Sequence, residues 1–323
     1  MSTLLPRIYL PSVYQGRKTP RNYFEGWYFK IIDSGGKQIW SIIPGISYSD
    51  DTHCFVQVIH ANSGKTFYHR YAIDSFSSSR KKFHIHIGPN QFSDKSISLA
   101  ISDKEIHLNG KLYFRETHPF PASLLSPGIM GWYTFVPFME CYHGVVSMQH
   151  GLSGSLEING SKTDFEGGKG YIEKDWGRSM PSDWIWMQSN HFTSNNSTSF
   201  MLSLARIPWM KGHFPGFLSF LLLHGRVYRF ATYNRSEVSL LEISPELVRV
   251  VITHKKFRLE VKTYRQDGGI LKAPRHGNMD REIKESIIST LSLELKSSSG
   301  ALIYSDTGLF SGLEIVGDME QYY

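Results

Sequence analysis

Short runs of alternating or aromatic residues, each closed by a tight-turn dipeptide, recur along the whole chain and restrict it to antiparallel β structure. "YFEGWYFKII" leads through "DSGG" to "KQIWSIIPGI", and "HCFVQVIH" through "ANSG" to "KTFYHRYAI". "SGSLEI" leads through "NG" to "SKTDFEGG", and "SFLLL" through "HG" to "RVYRFATY". Asn-Gly, Ser-Gly and Gly-Gly supply the positive φ that hairpin turns need. About sixteen strands are predicted in this way, at the close spacing of a barrel or sandwich. That exceeds one small barrel and suits two of about eight strands each. The predicted fold is all-β, with two tandem antiparallel β-barrels. Helical patterning is confined to "NMDREIKES" (278–286), enough for two turns.

The stretch "HPFPASLLSPGIMGWYTFVPFME" (118–140) contains four prolines and breaks every regular pattern. It is predicted to join the barrels, and it is too apolar to be a free tether. The predicted domains are therefore residues 1–135 and 136–323.

Composition narrows the function. The net charge of +6 comes from scattered Lys and Arg with no basic run, which argues for a solvated surface and against nucleic acid. Cys54 and Cys141 are the only cysteines, as expected for a reducing, cytoplasmic setting. The first residues lack the apolar core of a signal peptide. The greasiest patch, "FPGFLSFLLL" (214–223), is too short to span a bilayer. With Lys211 and His213 inside it, the longer stretch 207–223 is either buried strand or a weak peripheral contact with a membrane.

Aromatic residues make up 14% of the chain, and three of its seven Trp fall within "GYIEKDWGRSMPSDWIWMQSNHF" (170–192). In "DWIWMQSNHF", alternation places Trp184, Trp186, Gln188 and Asn190 on one face and Ile185 and Met187 on the other. In "NYFEGWYFKI", Glu25, Trp27 and Phe29 share a face opposite Tyr28 and Lys30. Aromatic faces with a few hydrogen-bonding groups suit a cavity for a hydrophobic small molecule, or else ordinary core. Gly170, Gly177 and Pro181 mark a predicted loop or bulged corner. Within it Glu173 and Asp175 share a side, with Lys174 and Trp176 on the other. Paired acids near a cation and a ring form either a proton-donor site or a structural salt bridge. Asp175, close to Lys174 and Arg178, is expected to stay ionised and organise the loop. His150 falls on an apolar strand face, as a core or cavity histidine. His84 and His86 share a strand face but have no third ligand nearby, so no metal site is predicted. "GLSGS" (151–155) fails the nucleophile-elbow pattern, and "GGKG" (167–170) lacks the helix of a dinucleotide loop.

These stretches resemble the tocopherol cyclase family. "YFEGWYFK" (23–30) is similar to its opening motif, "GYIEKDWGRSMPSDWIWMQSNHF" to its central motif, and "FVPFMECYHGVVSMQHGLSGSLEING" (135–160) to the segment before it. "LKAPRHG" (271–277) is similar to a late motif, so the resemblance spans nearly the whole chain. It implies paired lipocalin-like β-barrels with a cavity near their junction. It also implies cyclisation of a prenylated hydroquinone, or hydration of an isoprenoid, by alkene protonation with no cofactor consumed. The matched positions are Glu25, Trp27, Glu173, Trp176, Trp186 and Gln188. The plant motif often has Asn at the position of Asp175, which favours Glu173 or Glu25 as the proton donor. A rival reading is a non-catalytic carrier or sensor of a hydrophobic ligand, which needs no buried carboxyl in its cavity. Carbohydrate binding on Trp platforms would instead need an open groove.

Overall fold

In the computed structural model, residues 5–16, 22–210 and 212–323 are described. Lys211 lies outside them. The chain forms two compact units, one of residues Met1–Met180 with Leu271–Glu282, the other of Pro181–Ile270 with Ile283–Tyr323.

The first unit holds β1 (Tyr23–Ile32), β2 (Ile39–Tyr48), β3 (His53–His60), β4 (Lys65–Tyr71), β5 (Phe76–Ser78) and β6 (His84–Ile87), then β7 (Asn90–Ser93), β8 (Ser96–Ser102), β9 (His107–Arg115), β10 (Cys141–Ile158), β11 (Ser161–Asp164) and β12 (Lys169–Gly177). They form one antiparallel sheet in the order β4-β3-β2-β1-β12-β10-β9-β8-β7-β6-β5, with β11 beside β10. The sheet wraps a core that includes Trp27, Phe29, Trp40, Phe92, Leu112 and Ile172. β1 is buried on both faces, which is why its sequence reads as almost continuously apolar.

The second unit holds β13 (Trp184–Ser189), β14 (His191–Phe192), β15 (Ser199–Trp209), β16 (Gly212–Leu223), β17 (Arg226–Ala231) and β18 (Glu237–Ile243), then β19 (Leu247–His254), β20 (Phe257–Tyr264), β21 (Gly269–Arg275), β22 (Asn278–Ser297) and β23 (Leu302–Val316), apart from Leu271–Glu282 of β21 and β22, which belongs to the first unit. Its sheet runs β17-β16-β15-β13-β23-β22-β20-β19-β18, around a core that includes Ile185, Met187, Phe200, Leu221, Phe230 and Val250.

The all-β expectation of two antiparallel, lipocalin-like units holds. Among the described residues each ladder is an open path rather than a hydrogen-bonded ring. Other expectations change. Residues 278–286 lie in β22 and are not helical, because Ile283 and Glu285 alternate into buried positions of a sheet. Residues 169–177 form strand β12, not a loop. The division falls after Met180 and not at 135/136. The reason is that 118–140 connects two sheet neighbours, β9 and β10, which pair from Gly151↔Arg115 to Ile158↔Leu108. The greasy stretch 214–223 is largely buried strand, with Trp209 and Met210 exposed at the adjoining turn. No helix among the described residues is long and apolar enough to cross a membrane.

Candidate functional site

β12 lies between β1 and β10, and its alternation separates two constellations. One faces the core of the first unit. Trp27 stands opposite Lys174, and Glu25 opposite Trp176. Lys174 and Glu25 are fully buried and form an ion pair. The Glu25 carboxylate also accepts the backbone N–H of Gln15 at 2.9 and 3.0 Å, that of Gly16 at 3.1 Å, and the Tyr23 hydroxyl. Lys174 Nζ donates to the carbonyls of Pro11 and Val13, each at 2.7 Å. Its ammonium sits 4.8 Å from the Trp27 ring and 4.7 Å from the Trp176 ring. Burial lowers the Lys174 pKa to about 8, against the pull of Glu25. Two of the matched rings, Trp27 and Trp176, therefore hold a lysine, and both oxygens of Glu25 are engaged. Phe29 is core, packed on Phe83, Phe92 and Phe114. His150 points into the same interior, 4.3 Å from Phe114, with Nδ1 on Ser147 Oγ at 3.1 Å. Burial lowers its pKa to about 3, so it is neutral.

The other face of β12 carries the second constellation. Asp175 stands opposite His143 of β10, and Glu173 opposite Val145 of β10 and Tyr28 of β1. His143 Nδ1 bonds Asp175 Oδ1 at 2.9 Å, and its Nε2 lies 3.7 Å from Glu173 Oε2. The Tyr171 hydroxyl donates to the same Glu173 oxygen at 2.6 Å. Burial opposes a charged ring at His143, but the carboxylates of Asp175 and Glu173 outweigh it and raise its pKa to about 9. Burial first, then Glu173, pushes the Tyr171 hydroxyl well up. The Cys141 thiol, 3.8 Å from Asp175 Oδ1, is likewise pushed up, chiefly by burial. Asp175 thus pairs with His143, while Lys174 on the opposite face pairs with Glu25.

His143, Glu173 and Asp175 bring potential metal-ligating atoms within 4.8 Å of one another. The two carboxylates, however, sit against opposite nitrogens of one ring. Lone pairs on those nitrogens diverge, so the three groups do not aim at a common point. The arrangement suits proton movement along Tyr171, Glu173, His143 and Asp175 better than it suits a metal ion.

The remaining predicted residues lie in the second unit. Ile185 and Met187 enter its core, while Trp184, Trp186 and Gln188 occupy the other strand face, also buried. Trp184 Nε1 donates to Glu314 Oε2 at 2.6 Å. The Trp186 ring lies over Gly312, where an added Cβ would approach it to 2.4 Å. Asn190 is buried between β13 and β14, with Oδ1 3.0 Å from His191 Nδ1.

Sequence reasoning missed His143, Tyr171 and Glu314. Tyr171 was accessible, since it stands two residues before Glu173 on one strand face. His143 was not, because its meeting with Asp175 depends on the register between β10 and β12.

The profile of the family described as tocopherol cyclase-like matches residues 120–317. The chain belongs to the tocopherol cyclase-like family. A probable chloroplastic tocopherol cyclase of Oryza sativa subsp. japonica is 41% identical over 64 residues, 20% of this chain and 13% of the rice protein. The chloroplastic tocopherol cyclase of Zea mays is 41% identical over 63 residues, 19% of this chain and 13% of the maize protein. The matching segment therefore spans a small part of either plant relative.

Similar solved structures include CghA with Sch210972, at a TM-score of 0.56 and 11% identity over 91% of this chain and 88% of that one. A putative AttH from Nitrosomonas europaea reaches 0.51 at 11% identity, covering 90% and 92%. Kievitone hydratase from Nectria haematococca reaches 0.50 at 11% identity, covering 90% and 88%. At such identity the likeness is one of fold. In this member of the tocopherol cyclase-like family, the quoted central motif thus contributes Glu173 and Asp175 to one face of β12 and Lys174 and Trp176 to the other.

Proposed function

We propose that the chain protonates an alkene of a hydrophobic, isoprenoid-type substrate such as a prenylated quinol, and closes a ring or adds water. Glu173 is the donor, and His143 with Asp175 supplies and recovers the proton. The observation that carries this reading is the chain of Tyr171, Glu173, His143 and Asp175, its first two members buried and its last two half-buried, in which an imidazole lies between two carboxylates.

The chemistry follows from desolvation. With water present, the proton rests on His143. An apolar substrate that excludes water penalises the separated charges, and the neutral pair of imidazole and carboxylic acid gains. The proton then lies on Glu173. The 3.7 Å gap between His143 Nε2 and Glu173 must shorten for that transfer, as catalytic contacts commonly do when substrate binds. Transfer to the alkene leaves a tertiary cation. A phenol oxygen or a water oxygen captures it and releases a proton to the Glu173 carboxylate. Atoms balance without a cofactor. Membership of the tocopherol cyclase-like family supports the reaction class.

Glu173→Gln keeps the volume and removes the acid. It is expected to abolish turnover of a prenylated hydroquinone while leaving ligand binding, followed by Trp fluorescence, nearly intact. His143→Gln should lower turnover by about 10²–10⁴-fold, the usual contribution of a positioned acid–base group. Full turnover in Glu173→Gln rules the assignment out. A carrier would bind the ligand and turn it over in neither protein.

A further inference from the structure

The segment 118–140 is not a tether, and its outward side is unusually apolar for a water-facing surface. No Lys, Arg, Asp or Glu occurs between Glu116 and Glu140. Phe138 is 87% exposed, Leu124 and Leu125 are each 78% exposed, and Trp132 and Phe135 are also exposed. The backbone beneath them is pinned. Ser123 and Ser126 exchange backbone hydrogen bonds at 2.8 and 3.1 Å, which holds Leu124 and Leu125 at the tip of a tight turn. A 3-10 turn over Gly131–Phe135 presents Trp132 and Phe135. Tyr9 donates its hydroxyl to the Leu124 carbonyl at 2.8 Å, and Tyr142 to that of Val136 at 2.7 Å. Ile129, Met130 and Met139 anchor the inner side.

We propose that this surface docks on a lipid bilayer, with Leu124, Leu125, Trp132, Phe135 and Phe138 entering the boundary between headgroups and acyl chains. Three observations select lipid over a protein partner. A bilayer offers nothing to satisfy backbone groups, and here key carbonyls already have internal partners. A protein partner would be expected to exchange hydrogen bonds across a polar rim, and this stretch has no charged side chain to form one. Trp, Tyr and Phe together are the side chains that favour the membrane–water interface. The net charge of +6 complements an anionic bilayer, and exposed Arg115 and Arg178 flank the two ends of the segment beside Glu116 and Glu140. The proposal does not depend on the reaction proposed above. It also moves the membrane contact away from 207–223, where the greasy residues are mostly buried strand.

The test uses the full chain and sedimentation with vesicles of phosphatidylcholine containing a minority of phosphatidylglycerol. Wild-type protein is expected to bind. Phe138→Glu and Leu125→Glu should each lower the partition coefficient at least ~10-fold, a factor equivalent to about 1.4 kcal/mol. Met210→Glu, at the exposed turn of the second unit, should leave it unchanged. Both surface variants should unfold at the wild-type temperature, since neither side chain is buried; if one does not, the other carries the test. Binding should persist when salt is raised, because apolar insertion is not screened. Failure of wild-type protein to bind at low salt overturns the proposal, as does Phe138→Glu binding like wild type. A wild-type dimer that Phe138→Glu converts to monomer, without vesicle binding, would assign the surface to a second copy of the chain and also overturn it.

Discussion

Glu173 and Lys174 are adjacent in the chain, yet they point to opposite faces of one strand and meet opposite electrostatic problems. Lys174 is a buried cation whose proton is loosened, with a pKa of about 8, while His143 beside Glu173 has its proton tightened, with a pKa of about 9. The two shifts act oppositely on stability. His143 has a folded pKa above its ordinary 6.5, so its contribution is complete below pH 6.5 and is lost as pH rises toward 9. Lys174 has a folded pKa below its ordinary 10.5, so between about 8 and 10.5 the unfolded chain binds more protons and stability from this group rises. Between pH 6.5 and 8 only the first slope acts. Unfolding free energy from urea titrations is expected to fall by roughly 1–2 kcal/mol over that window. His143→Gln should remove the fall. A wild-type profile that is level from pH 6.5 to 8 would show that His143 is not held as a cation. The sequence exposed the alternation that separates Glu173 from Lys174. It could not reveal which residue stands opposite each, because cross-strand partners depend on register and not on local pattern.

For the elements, the instructive case is β12. In the sequence Gly170 and Gly177 read as breakers, which predicts a loop or bulged corner. Both are strand residues, and each is glycine because something approaches its backbone. A Cβ on Gly177 would lie 2.2 Å from the Glu140 carbonyl, and its φ of 153° is itself unfavourable for other residues. A Cβ on Gly170 would lie 2.2 Å from His150 Nε2. Glycine within a strand therefore marks close packing here, which a single sequence cannot distinguish from a turn. The contrast with Gly26 of β1 provides a test, since a Cβ there meets nothing closer than 3.9 Å. Gly170→Ala should destabilise the first unit by about 1–3 kcal/mol, because the buried imidazole must shift within an aromatic interior. Gly26→Ala should stay within about 0.5 kcal/mol of wild type. Adding His150→Ala to Gly170→Ala should show a favourable coupling, because the clash is relieved. Equal effects of the two single alanines in thermal unfolding would refute the packing explanation.

On the scale of the whole molecule, repetition of hairpin signals was enough to reveal two antiparallel β units, because turn chemistry is local. The division between them was not legible, because it depends on which distant strands pair. The proline-rich stretch looks like a linker by composition, yet it joins neighbours in one sheet. Conversely, nothing in the local pattern of "LKAPRHG" (271–277) tells which unit it joins, yet Leu271–Glu282 belongs to the first unit although the chain around it belongs to the second. Its contacts explain the assignment. Lys272 N donates to Gln57 Oε1 at 2.8 Å, and Gln57 Nε2 returns a bond to the Lys272 carbonyl at 3.2 Å. Ser47 Oγ donates to the Gly277 carbonyl at 2.6 Å, and Met180 N to that of Pro274 at 3.1 Å. Leu271 and Ala273 are buried, and the Lys272 ammonium lies 4.7 Å from the Tyr68 ring. At about 0.5–1.5 kcal/mol for each hydrogen bond, with the lost apolar burial added, the segment stabilises the first unit by roughly 4–8 kcal/mol. Replacing residues 271–282 with a short Gly-Ser turn should therefore accelerate amide hydrogen exchange across β2 and β3, where Ser47 and Gln57 lose their partners. Exchange in β15 and β16, whose ladder involves none of these residues, should be unchanged. Faster exchange spread equally over both units would mean that the segment acts on the chain as a whole, and unchanged exchange in β2 and β3 would mean that the buried glutamine and serine contribute nothing to holding it.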